Sequence, residues 1–341
     1  MMQNQVKQMH TPKYFPLLLV GTLVLTVLCI VASLAFGSRT VGWNELLDGL
    51  FRPAVQSYEA DIVRERVVRT IFSFMCGAAL GVAGALMQSV TRNPIADPSI
   101  LGVNTGAALA VVIGIAFFNI ATASAFIWFA LVGALLTAIF VFGIGSLGRG
   151  GATPLKLVLA GAATSAALSS LVMALMIPRS NVMDQFRFWQ VGSVGAGNLD
   201  SIYTFLPFLL IGLVIAVVTA PSLNALALGE EMAKSLGVRT GTLKLTASFA
   251  GVILCGAATA LAGPIGFIGL LAPHLIRLVL GPDQRYLMPM SALAGAIILT
   301  FSDVIGRLLG SPGELEVGIV TAFIGAPILI LLTMKVKVRG L

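Results

Sequence analysis

Charge is scarce in this chain of 341 residues: Asp, Glu, Lys and Arg make up 10% of it and hydrophobic residues 57%, with a mean hydropathy of +0.99. A soluble domain carries roughly 25% charged residues, so water is excluded as the solvent for most of the chain. Polar linkers are missing too, and the length therefore does not divide into two domains. The three cysteines, Cys29, Cys76 and Cys255, sit inside apolar runs. Their odd number and wide spacing exclude a disulfide framework and read as small buried hydrophobes. The two histidines, His10 and His274, make no metal-site constellation. No Gly-Lys pair exists, hence no Walker A loop and no ATP hydrolysis by a P-loop mechanism. HExxH, GxSxG and paired inward-facing carboxylates are absent as well, which argues against an intramembrane enzyme. The net charge of +7 comes from basic residues scattered singly between apolar runs, not from a stripe with interleaved aromatics, so nucleic acid is not the expected partner.

What the chain does have is ten apolar runs of about the length that crosses a hydrocarbon core of about 30 Å. They fall at residues 16–36, 67–90, 98–118, 125–147, 154–177, 202–220, 243–261, 265–280, 287–305 and 317–334. Backbone groups in lipid must be paired within their own segment, and no period-two barrel pattern appears, so the runs read as helices. The expected fold is an all-α integral membrane protein of about ten transmembrane helices. It forms a single domain over residues 16–335, between short tails at 1–15 and 336–341. The first run is longer than a signal-peptide core and ends in no clear cleavage site, so it reads as a retained span. With ten spans both termini share a side. Only Arg39, Arg52, Arg64, Arg66, Arg69, Arg179, Arg187 and Arg307 fall opposite, leaving 13 of the 21 basic residues on the side of the termini, which makes that side cytoplasmic.

Smaller features add detail. Cys76-Gly-Ala-Ala79, Ala83-Gly84 and Pro94 recur at one constant offset as Cys255-Gly-Ala-Ala258, Ala262-Gly263 and Pro273, a weak inverted repeat of the kind transporters use. Gly77, Gly81 and Gly84 lie near one helix face, where missing side chains let backbones approach closely. Asp303 stands four residues before Arg307, in register for a contact on one helix. Between the sixth and seventh runs, residues 222–242 form a cytoplasmic loop of different character. Glu230 and Glu231 suit a helix N-terminus, Gly237 suits a helix stop, and Met232, Ala233 and Leu236 offer an apolar face to a partner's groove.

Several stretches then carry a resemblance. They are Arg66-Val-Val-Arg69, Gly77-Ala-Ala-Leu-Gly-Val-Ala-Gly84, Asn93-Pro-Ile-Ala-Asp-Pro-Ser-Ile-Leu-Gly102, Ala225-Leu-Ala-Leu-Gly-Glu230, Ala262-Gly-Pro-Ile-Gly-Phe-Ile-Gly-Leu270, Pro273-His-Leu-Ile-Arg277, Asp303-Val-Ile-Gly-Arg307 and Glu314-Leu-Glu-Val-Gly-Ile-Val-Thr-Ala-Phe-Ile-Gly325. In this order over residues 61–335 the chain resembles the FecCD type of iron-siderophore and cobalamin importer permeases. The resemblance implies the cobalamin-importer type of fold in a bacterial cytoplasmic membrane. It also implies a second permease subunit, identical or paralogous, two cytoplasmic ATPase subunits and an extracytoplasmic substrate-binding protein. The chain would bind no cofactor, ATP being used by its partners, and it would contact lipid.

The cargo implied is a ferric siderophore, with haem or cobalamin as alternatives; an ion-coupled secondary carrier is the reading from another class. The family's ATPase-coupling loop falls on Ala225, Leu226, Leu228, Gly229, Glu230, Glu231, Ala233, Leu236, Gly237 and Val238. Its binding-protein docking points fall on Arg66, Arg69 and Arg307, which the topology puts outside, where a cluster of arginines asks for an acidic partner. Snorkelling to lipid headgroups is the plainer role for Arg66 and Arg69, and a contact with Asp303 the plainer one for Arg307.

Overall fold

Residues 15–52, 55, 57–120, 122–147, 153–195 and 197–338 are described by the structure, a computed structural model. The tail at 1–14, with His10, and residues 339–341 lie outside them. Over the described residues every regular element is helical. The order is α1 (Phe15–Ala35), α2 (Trp43–Phe51), α3 (Tyr58–Thr91), a 3-10 turn (Pro98–Leu101), α4 (Val103–Phe118), α5 (Ala123–Gly145), α6 (Pro154–Met176), α7 (Ser180–Val191), α8 (Leu199–Ala227), α9 (Glu230–Ser235), α10 (Thr240–Ala262), α11 (Ile268–Leu280), α12 (Gln284–Leu309) and α13 (Val317–Val338). Helix starts follow local chemistry: Ser57, Thr122, Thr153 and Asn198 each accept a backbone N–H three residues on, satisfying a donor the helix itself leaves free.

Among the described residues seven helices are long and apolar enough to cross a membrane: α1, α3, α5, α6, α8, α10 and α12. Three shorter apolar helices, α4, α11 and α13, accompany them. The sequence predicts one helix over 98–118, and here the structure differs. Asp97 Oδ1 accepts the Ser99 N–H at 2.9 Å, and Gly102 turns left-handed at φ +73, so the run splits into the 3-10 turn and α4. The 16 residues left in α4 reach about 24 Å and the 13 of α11 about 20 Å, both short of a hydrocarbon core of about 30 Å. The 34 residues of α3 reach about 51 Å and overshoot it. Besides α9 in the loop 222–242, two helices outside the ten runs, α2 and α7, come from segments too polar or too short to read as spans.

The core is built on α3, which packs against α10, α11 and α12. In the most apolar stretch of each helix, 78% of α3 and 72% of α10 are buried against 22% of α1 and 17% of α6, so the last two present their sides outward. Backbone contact makes this core: a Cβ on Gly77 would strike the Gly295 carbonyl, one on Gly81 that of Ser291, and one on Gly84 that of Gly269. The two repeated segments fall on α3 and α10, which lie side by side. Pro94 sits in the loop after α3, whereas its counterpart Pro273 lies inside α11.

Candidate functional site

Charge gathers at the two ends of α12. At the end reached by Asp303, α3 and α12 bring Arg69 and Asp303 together across 234 positions of sequence. The Arg69 guanidinium donates from Nη2 to Asp303 Oδ1 at 2.7 Å and from Nε to both carboxylate oxygens at 3.2 and 3.1 Å. Its remaining branch, Nη1, donates to Glu314 Oε2 at 2.7 Å. Asp303 also faces Arg307 Nε at 3.1 Å, one helical turn on, an ion pair whose angle is too poor for a hydrogen bond. Arg307 instead donates to Ser33 O at 3.1 Å and Ser33 Oγ at 2.9 Å, tying α12 to α1. Arg66 reaches the C-terminal end of α1, donating to Leu34 O at 3.0 Å, Ala35 O at 3.2 Å and Arg39 O at 2.5 Å. Carbonyls left free at a helix C-terminus carry partial negative charge and suit a cation.

The sequence leads one to expect arginines offered to an acidic partner, with Asp303 as the internal acid in register for Arg307; the structure adds internal partners for Arg69. Asp303 and Glu314 supply two carboxylates, and burial makes the pairing obligatory, because an uncompensated charge there would be expensive. Arg66 and Arg307 are buried, and the side chain of Arg69 is 15% exposed. All three line a wide-mouthed cavity of about 1070 Å³ together with Arg39, Tyr58, Glu65 and Glu314. A second cavity, of about 630 Å³, adjoins it and shares Arg69, Gly195 and Glu314 as lining. The Asp303–Arg307 contact is present as its spacing predicts. The Arg69–Asp303–Glu314 bridge carries no signal in the sequence, since nothing in spacing relates positions so far apart.

At the other end of α12, about 30 Å away for the 20 residues from Asp283 to Asp303, lies the segment 225–238. Ala225 and Leu226 close the last turn of α8, with Leu226 fully buried. Gly229 at φ +122 turns the chain into α9, whose first turn holds Glu230 and Glu231. Gly237 at φ +82 ends it: its N–H donates to Lys234 O and that of Val238 to Ala233 O, both at 2.9 Å, the two-bond glycine stop that the sequence predicts. The expected apolar face is corrected in one member. Ala233 is fully buried and anchors α9 to the body, and the exposed large apolar residues of the segment are Leu228, Met232 and Leu236, at 50%, 49% and 61%. Glu230 accepts from Lys244 Nζ at 2.6 Å and from Thr240 Oγ1 at 3.2 Å, and the hydrogen bond from Lys244 holds its carboxyl below the ordinary value.

A further tie escaped sequence reasoning. Asn224 donates from Nδ2 to Asp283 Oδ1 at 2.7 Å and accepts the Gln284 N–H at 2.8 Å, joining α8 to the first turn of α12. Burial alone would raise the Asp283 carboxyl, but hydrogen bonds from Arg285 and Asn224 more than offset it, and the net direction is down.

Residues 25–335 match the model of the FecCD transport family. The chain belongs to that family. Two relatives are similar over nearly their whole length. The ferric enterobactin transport system permease protein FepD of Escherichia coli (strain K12) is 42% identical, covering 94% of this chain and 95% of the relative. The probable siderophore transport system permease protein YfiZ of Bacillus subtilis (strain 168) is 39% identical, with 95% and 96% covered. A solved structure described as an inward-facing metal-chelate type ABC transporter superposes with a TM-score of 0.82 at 28% identity, over 94% of this chain and 99% of that one. Both ends of α12, the mouth and the segment 225–238, fall inside the matched FecCD range.

Proposed function

We propose that this chain is the permease subunit of an ATP-binding-cassette importer that carries a ferric siderophore across a bacterial cytoplasmic membrane. The FecCD match running from α1 to α13 carries this reading, since it includes both the charged mouth and the α9 segment. In the proposal the three shorter apolar helices complete a ten-helix domain of the cobalamin-importer type, and the termini are cytoplasmic. The repeated segments of α3 and α10 are the centres of two inverted halves. Iron is cargo, wrapped in its chelator, and the chain needs no cofactor of its own.

The proposed partners are a second permease copy or paralogue, two cytoplasmic ATPases and an extracytoplasmic binding protein. Leu228, Met232 and Leu236, the exposed apolar side chains before, on and after α9, supply the knobs that a groove on an ATPase would receive. At the opposite end Arg69 is the reachable member of the docking set, with Arg66 and Arg307 behind it. Ferric siderophore is preferred over haem or cobalamin because both relatives described above are named for siderophore transport.

Reconstitution tests the proposal: proteoliposomes holding the permease and its ATPases, supplied with binding protein and radiolabelled ferric siderophore, should accumulate iron only with ATP. Accumulation driven by a proton or sodium gradient without ATPase subunits would overturn it in favour of a secondary carrier.

A further inference from the structure

Two carboxylates hold Arg69, and they hold it differently. Asp303 is 2% exposed, takes three hydrogen bonds from Nε and Nη2 and is shared with Arg307. Glu314 is 41% exposed and takes one, from Nη1. Glu314 also sits on the short link between α12 and α13, whose next residue is pinned by Leu315 N–H donating to Gly306 O at 3.1 Å. The ion pair it makes stands where the cavities of about 1070 Å³ and 630 Å³ share their lining.

We propose that Glu314 is an exchangeable latch: it occupies the Nη1 branch of Arg69 as a stand-in for a carboxylate of the docking binding protein, and its displacement joins the two cavities. The inference rests on the docking role of Arg69 proposed above and adds the residue that regulates it. An incoming acid meets an arginine whose fork is already oriented by Asp303, so little ordering is left for the partner to impose. Displacing Asp303 would strip a buried carboxylate of its partners, a heavy penalty. Displacing Glu314 breaks only an exposed pair, worth little in water and screened by salt. Exchange is therefore confined to one branch of the fork. Glu65 and Asp200 line the larger cavity and Glu316 the smaller, but Glu314 is the acid bonded to Arg69 at their shared wall.

The test uses the assembled importer in lipid nanodiscs with its binding protein. Glu314→Gln should bind the binding protein about two- to fivefold more tightly at low salt, the range an exposed ion pair represents. Glu314→Asp should stay near wild type. Arg69→Glu should weaken binding by tenfold or more. A second readout follows the latch without any partner: Ser193→Cys lies in the smaller cavity, the native cysteines are buried, and a membrane-impermeant maleimide should label Ser193→Cys faster when Glu314→Gln is also present. Unchanged or weaker binding and unchanged labelling in Glu314→Gln, with Arg69→Glu still defective, would make Glu314 a structural brace and overturn the latch. An Arg69→Glu importer that docks normally would overturn the docking reading itself, and the latch with it.

Discussion

The two ends of α12 use charge in opposite ways. At the mouth, Arg66, Arg69, Asp303 and Arg307 are largely withdrawn from water and each is held by named partners, so the geometry is fixed before any partner arrives. At the α9 end, Glu230 is 42% exposed and pairs with Lys244 and Lys234 at a wet surface. Helix α9 is held by one buried alanine and two glycine turns instead. Buried charge networks are costly to disturb, and exposed pairs are cheap. The mouth is accordingly a preorganised frame, and the α9 segment, the lever in the role proposed above, is tied to the body by contacts that are cheaper to break.

The largest effect should come from removing the carboxylate at the centre of the frame. Asp303→Ala leaves Arg69 and Arg307 facing each other without it, and breaking a buried pair typically costs about 3–5 kcal/mol. Thermal unfolding in nanodiscs should show a large drop, and a loss comparable to that of a surface mutant would mean that the mouth is no more preorganised than α9.

A smaller effect, and a different kind, is expected at the lever. Gly237 at φ +82 has open space around an added Cβ, so the main cost of Gly237→Val is the left-handed backbone, about 1–2 kcal/mol. ATP hydrolysis should continue while uptake per ATP falls. Gly143→Ala on α5, also in open space but at an ordinary helical φ, should leave both unchanged. Normal coupling in Gly237→Val would make 225–238 a mere connector.

The smallest effect belongs to Glu230. Its folded-state carboxyl lies below the ordinary 4.5 because Lys244 hydrogen-bonds it, so its contribution is present above about pH 4.5 and is lost as pH falls through the lower folded value. Exposure and salt limit that contribution to about 0.5 kcal/mol. Glu230→Gln should therefore barely move the unfolding temperature at neutral pH and should flatten the stability profile below pH 4.5. A loss rivalling that of Asp303→Ala would erase the contrast between the two ends.

Local chemistry was legible in the sequence. Apolar runs located the long helices, because backbone in lipid has few alternatives to helix. Glycine in a left-handed turn announced the end of α9, and the spacing of Asp303 and Arg307 announced their contact. Gly77, Gly81 and Gly84 announced close packing, though not that Gly295, Ser291 and Gly269 are the backbones they meet. The break at Gly102 is local chemistry as well, an Asp97 cap followed by a left-handed glycine, hidden by the apolar run it interrupts. Tertiary structure alone brought Asp303 and Glu314 to Arg69, turned Ala233 inward, and tied Asn224 to the start of α12. Helical period and turn chemistry act over a few residues and are written in the order of the chain. A salt bridge between positions 69 and 303 depends on how α3 and α12 pack, and no local pattern records it.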